Sequence, residues 1–141
     1  MIYKLRHFDV RELVPPEIWE SRRERSIELL DIEALITLDQ LRDQFGACTV
    51  NDWSFPSGQY KYSGYRPFDC TVGARLSQHR FGRADDCKFG DFTPKQVFDY
   101  VMEHQDQFPH ITVIENVEAT PTWFHFDTRN HDRQGIWVVN P

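Results

Sequence analysis

Long apolar runs are missing from this chain of 141 residues, and no stretch approaches the length needed to cross a bilayer. A soluble protein without membrane insertion is expected. The opening residues MIYKLRHFDV lack an apolar h-region and a small-residue cleavage site, so no secretory signal is read and cytoplasmic synthesis is expected. Cysteine is scarce and scattered: Cys48, Cys70 and Cys87 are an odd set with no C-x-x-C pair. Such a set argues against a disulfide framework or a thiolate zinc site and suits a reducing compartment. Positive charge is also short, with 16 Lys and Arg against 22 Asp and Glu and a net charge of −6. A polyanion finds no electrostatic footprint there, which disfavours nucleic acid as a partner. Internal repeats and low-complexity linkers are absent too.

What is present is material for a core. Hydrophobic residues make up 40% and aromatic residues 14% of the chain, enough for one packed domain over residues 1–141. N-terminal helices are expected over about residues 9–46 and the functional core over about 47–141. Asp9 with Glu12 reads as a capping box on a short helical turn that Pro15 and Pro16 end, and helix resumes weakly from Glu17. From Asp31 to Phe45, Leu35, Leu38, Leu41 and Phe45 recur near helical spacing, with Gly46 placed to end the helix. The ionic face Asp39, Arg42, Asp43 reads as solvated surface. Cys48 to Asn51 is a short strand, and Trp53 to Tyr65 is loop, with Trp53 and Tyr60 assigned to packing rather than to a substrate rim. Thr93, Pro94 and Gln96 open a second capped helix whose buried stripe is Val97, Phe98, Val101 and Met102. Strands follow at Ile111 to Glu115, over Trp123 to Arg129 with Trp123, His125, Asp127 and Arg129 on one face and Phe124, Phe126 and Thr128 on the other, and at Gly135 to Val139. The fold class is therefore α+β, a small antiparallel sheet with helices packed on one face.

Two stretches carry chemistry. SQHRFGRADD, Ser77 to Asp86, and TWFHFDTR, Thr122 to Arg129, together offer His79, Asp86 and His125. A catalytic zinc takes three nitrogen or oxygen ligands and keeps a fourth position for water. Gly82 and Ala84 are small enough for a tight turn that brings Asp86, on the ensuing strand, back toward His79. By alternation Asp85 points to the opposite face.

Ser77, His79, Gly82, Ala84 and Asp86 match the S-x-H-x-x-G-x-A-x-D signature of the D-alanyl-D-alanine peptidases, a family that includes VanX-like dipeptidases and phage endolysins and shares its fold with the hedgehog signalling domain. TWFHFDTR resembles the family's W-x-H-x-D strand, and Ser63-Gly64-Tyr65-Arg66 resembles its S-G-Y-R segment. The resemblance spans about residues 35 to 130. It implies a hedgehog-like zinc peptidase fold, a Zn2+ cofactor, a peptidoglycan stem-peptide substrate, and an arginine, here Arg66, that steadies the developing oxyanion. It also implies a phage-lysin-like protein that a separate export or lysis system releases to the cell wall. The other reading is a noncatalytic, zinc-stabilised binding module of the same fold.

The general base departs from the pattern, because Thr120 and Thr122 stand where VanX-like members carry a Glu. Glu115 and Glu118 are the available carboxylates. A hairpin turning near Thr120 and Pro121 would set Glu115 across from His125 and leave Glu118 at the turn, whereas a one-residue slip would reverse the preference. Ser77 either hydrogen-bonds beside the site or caps a turn. Asp127 either orients an imidazole or is a strand-end acid.

Overall fold

Local sequence signals start and stop most of the elements in the computed structural model, which describes residues 3–141. Asp9 caps a 3-10 turn at Val10–Glu12, and the Glu12 side chain returns to the Asp9 backbone. Helix α1, Pro16–Arg22, begins on the proline that cannot sit inside a helix but suits its first position. Helix α2, Ile32–Phe45, ends at Gly46, whose φ of 78° is in the range that favours glycine. Helix α3, Pro94–Glu103, carries the full capping box of Thr93 and Gln96.

Five strands form one sheet: β1 Cys48–Thr49, β2 Ala84–Phe89, β3 Val113–Glu115, β4 Phe124–Asp127 and β5 Trp137–Val139, in the spatial order β1-β2-β4-β3-β5. Helices α2 and α3 cover one face. Leu35, Leu38, Leu41 and Phe45 of α2 and Val97 and Val101 of α3 meet Cys87, Phe124 and Phe126 of the sheet in one buried cluster. Phe124 and Phe126 are fully buried; α3 packs on β4 and α2 on the neighbouring β2. No helix among the described residues is long and apolar enough to cross a membrane.

The α+β class holds, but the all-antiparallel sheet does not. Strand β5 runs parallel to β3, pairing Val113 with Trp137 and Glu115 with Val139. Both edges of β4 are already taken by β2 and β3. The chain leaving β4 therefore joins the free edge of β3, where β5 runs in the same direction as β3. A second difference concerns α2. Asp39, read as solvated, is fully buried and accepts hydrogen bonds from the Tyr3 hydroxyl at 2.7 Å and from the Arg6 and His7 backbone at 2.9 and 3.1 Å. Its carboxylate supplies acceptors for an N-terminal segment that has no strand or helix of its own to satisfy them. The first strand is also shorter than Cys48 to Asn51, because the Asn51 N–H turns away to the Glu12 carbonyl.

Candidate metal centre and cleft

The site is built on the open face of the sheet, and the pairing register sets its central row. Asp86 of β2 pairs directly with His125 of β4. The β3–β4 ladder pairs Val113 with Asp127 and Ile114 with Phe126, so one step on it sets Glu115 across from His125. Asp86, His125 and Glu115 thus lie side by side on three neighbouring strands. Since side chains alternate along a strand, Asp85 falls on the other face, where burial pushes its carboxyl well up.

His79 arrives from a different element. Ser77 caps the 3-10 turn Gln78–Phe81, its hydroxyl accepting from the His79 N–H at 3.4 Å. Gly82 closes that turn in the left-handed conformation, and a Cβ there would collide with the Leu29 carbonyl. The chain reverses within these few residues and enters β2 at Ala84, which brings His79 over Asp86.

The donor atoms of His79, Asp86 and His125 all lie within 4.8 Å of one another, and all three residues are buried. His79 Nε2 is 3.3 Å and His125 Nδ1 is 2.8 Å from the same oxygen, Asp86 Oδ1. The outer nitrogens are engaged elsewhere: His79 Nδ1 lies 2.8 Å from the Gly64 carbonyl, and His125 Nε2 lies 3.1 Å from Asp127 Oδ2. A carbonyl only accepts, so His79 Nδ1 carries the hydrogen and Nε2 offers a lone pair to the cluster. Asp127 does the same for His125, and Asp127 is itself fully buried and held by Arg129 at 2.8 and 2.6 Å.

Lone pairs converging on one point are satisfied either by a proton, which His125 Nδ1 donates to Asp86 Oδ1 in the metal-free protein, or by a metal ion in its place. Burial alone would lower the pKa of His125, yet hydrogen bonds to Asp127 and Asp86 outweigh it and push the group up to about 10. Burial likewise favours neutral Asp86, but the two histidines hold its carboxyl far below the usual range. At His79 burial dominates and the imidazole is pushed down, toward the neutral form that a metal requires. Two neutral imidazoles and one carboxylate, each with its second nitrogen or oxygen engaged, can hold a metal ion.

Around the cluster opens a cleft of about 1100 Å³. Arg66 lines it, donating from Nε to the Tyr62 carbonyl at 2.6 Å and from Nη2 to Asp86 Oδ2 at 3.2 Å. Its Nη1 lies against Gly73, so closely that a Cβ there would strike it. Glu115 also lines the cleft, with Oε1 3.8 Å from His125 Nδ1. Glu118 is exposed in the turn between β3 and β4, where its N–H caps onto Asn116. Of the two carboxylates, only Glu115 is at the site.

Three contributors escaped the sequence reading. Gly64 acts through its carbonyl, which no side-chain pattern announces. Arg80 is buried and donates to the carbonyls of Ala74, Pro67, Phe68 and Cys70, pinning the loop that walls the cleft. Lys88 lines the cleft beside Tyr60, and strand alternation from Asp86 was a signal that could have found it. Tyr60 itself stands on the rim. Comparison of the chain with profiles of known protein families, with curated proteins and with solved structures finds no match.

Proposed function

We propose that the chain is a zinc-dependent peptidase that hydrolyses peptide bonds in peptidoglycan stem peptides. The observation that carries the reading is the row Asp86, His125, Glu115 with His79 above it: three converging ligand atoms and a further carboxylate 3.8 Å from one of them, at the base of an open cleft. The motif that contains His79 and Asp86 adds the likeness to the D-alanyl-D-alanine peptidases and supports the substrate class.

His79, Asp86 and His125 hold the ion. Zinc bound there supplies Lewis acidity, easing removal of a proton from water and polarising a carbonyl. Glu115 takes the proton from the attacking water and passes it to the leaving amine, a task that needs a carboxylate within hydrogen-bond reach of the reacting atoms. Arg66 presents a fixed positive charge to the oxygen on which negative charge grows. Asp127 keeps the His125 hydrogen on Nε2, so that Nδ1 stays a ligand. Glu118 has no part in the chemistry.

Incubation of the zinc-loaded protein with purified peptidoglycan, followed by mass spectrometry of the released fragments, tests the reading. Cleavage at a stem-peptide bond by wild type, abolished by Glu115→Gln, is the expected result. Tight zinc binding with no released fragment would instead assign the fold to a noncatalytic binding module.

A further inference from the structure

An acidic chain, of net charge −6, turns an ammonium group into its cleft. Lys88 lies two residues beyond Asp86 on β2, on the same face and about 7 Å along the strand at the usual rise per residue. Its Nζ donates to Ser63 Oγ at 2.9 Å and to the Asp86 carbonyl at 3.2 Å, and rests 4.1 Å from the centre of the Tyr60 ring. Both acceptors are neutral. Asp86 and Asp52 attract the group only through space, and among the described residues no carboxylate oxygen lies within 4.0 Å of Nζ. An ammonium has three donors, so one remains for a group inside the cleft.

The position matters as much as the charge. Arg66 and Arg129, the other cations lining the cleft, are each bonded to a carboxylate: Arg66 to Asp86 and Arg129 to Asp127. Lys88 is the cation left over. Its long stem is fixed by Ser63, by the Asp86 carbonyl and by the ring, so little side-chain freedom remains to be lost when an anion arrives. Tyr60 shields one side of the ammonium from water, which strengthens its attraction for a charged ligand.

We propose that Lys88, with Ser63 and Tyr60, is a carboxylate-binding subsite that selects peptides bearing a free carboxylate within about a residue of the bond at the metal. This rests on the peptidase reading for its substrate and not for its geometry. Two sources offer that chemistry, a C-terminal carboxylate and the free α-carboxylate of a γ-linked glutamate. Amidation of either removes the charge with almost no change of shape.

The experiment uses zinc-loaded protein in the Glu115→Gln background, which leaves peptides intact, and calorimetric titration with two matched pairs of synthetic stem peptides. One pair differs in a C-terminal acid or amide, the other in glutamate or isoglutamine. A charge-assisted hydrogen bond predicts that one acid binds on the order of 10- to 100-fold more tightly than its amide. The pair that shows the preference identifies the source. Adding Lys88→Gln abolishes the preference by weakening acid binding far more than amide binding, and Lys88→Arg restores most of it. Equal binding of acids and amides, equal loss of both in Lys88→Gln, or no binding of any peptide overturns the subsite. Wild-type cleavage of the same peptides is read separately: acid preference without cleavage removes the peptidase reading and leaves the subsite standing.

Discussion

Replacing Asp127 by alanine isolates the part of the proposed metal centre that the candidate ligands themselves do not show. The carboxylate is fully buried and accepts from His125 Nε2 at 3.1 Å, twice from the Arg129 guanidinium and once from the Arg129 backbone N–H. Without it the His125 hydrogen has no fixed place, and the ring spends part of its time with Nδ1 protonated and unable to ligate. Loss of such an outer partner weakens metal binding about 10- to 100-fold, or about 1.4–2.8 kcal/mol. The orphaned buried N–H adds about 1–3 kcal/mol of destabilisation. Arg129 adds little, because its side chain is 30% exposed and can return to water. Asp127→Asn keeps an acceptor oxygen and loses the charge, so it falls between wild type and alanine. Competition for zinc against a chromophoric chelator gives the affinity, and melting with and without zinc gives the stability. If Asp127→Ala held zinc as tightly as wild type while Asp86→Ala lost it, Asp127 would be a strand-end acid serving Arg129 alone.

Glu115→Gln should bind zinc normally and lose on the order of 10²–10⁴-fold in hydrolysis rate, with Glu118→Gln silent; steady-state kinetics beside metal analysis checks both. In the metal-free protein, His125 has a folded pKa of about 10 against an ordinary 6.5, so its contribution to stability is complete below pH 6.5 and is lost as pH rises toward 10. Denaturant titration across that window should show the decline, and zinc affinity should rise over the same range as the competing proton leaves. Phe126→Ala should cost about 3–5 kcal/mol, since this fully buried ring joins β4 to the helices, and equilibrium unfolding measures it. Thr93→Ala should cost about 1 kcal/mol by removing the cap of α3, visible as a lowered melting temperature.

The sequence by itself determined the parts governed by short-range geometry. The caps at Asp9 and Thr93, the stripe of α2 and the apolar run of α3 each follow from a repeat that one turn of backbone enforces. Alternation separates Asp86 from Asp85 in the second strand, and His125 from Phe124 and Phe126 in the fourth, before any pairing is known. Sequence also placed His79 near Asp86, because Gly82 and Ala84 permit only a short reversal between them. Tertiary structure alone decided how those residues are used. The Gly64 carbonyl that fixes the His79 ring is 15 residues away and has no side chain to advertise it. The parallel run of β5 depended on which sheet edge remained free, a property of the assembled strands rather than of any one of them. Asp39 looked like one more acid on a charged helix face, and became buried because residues 3–7 laid their donors across it. Charge on a local segment says that a side chain needs a partner or water; which of the two it receives is fixed only when distant segments meet.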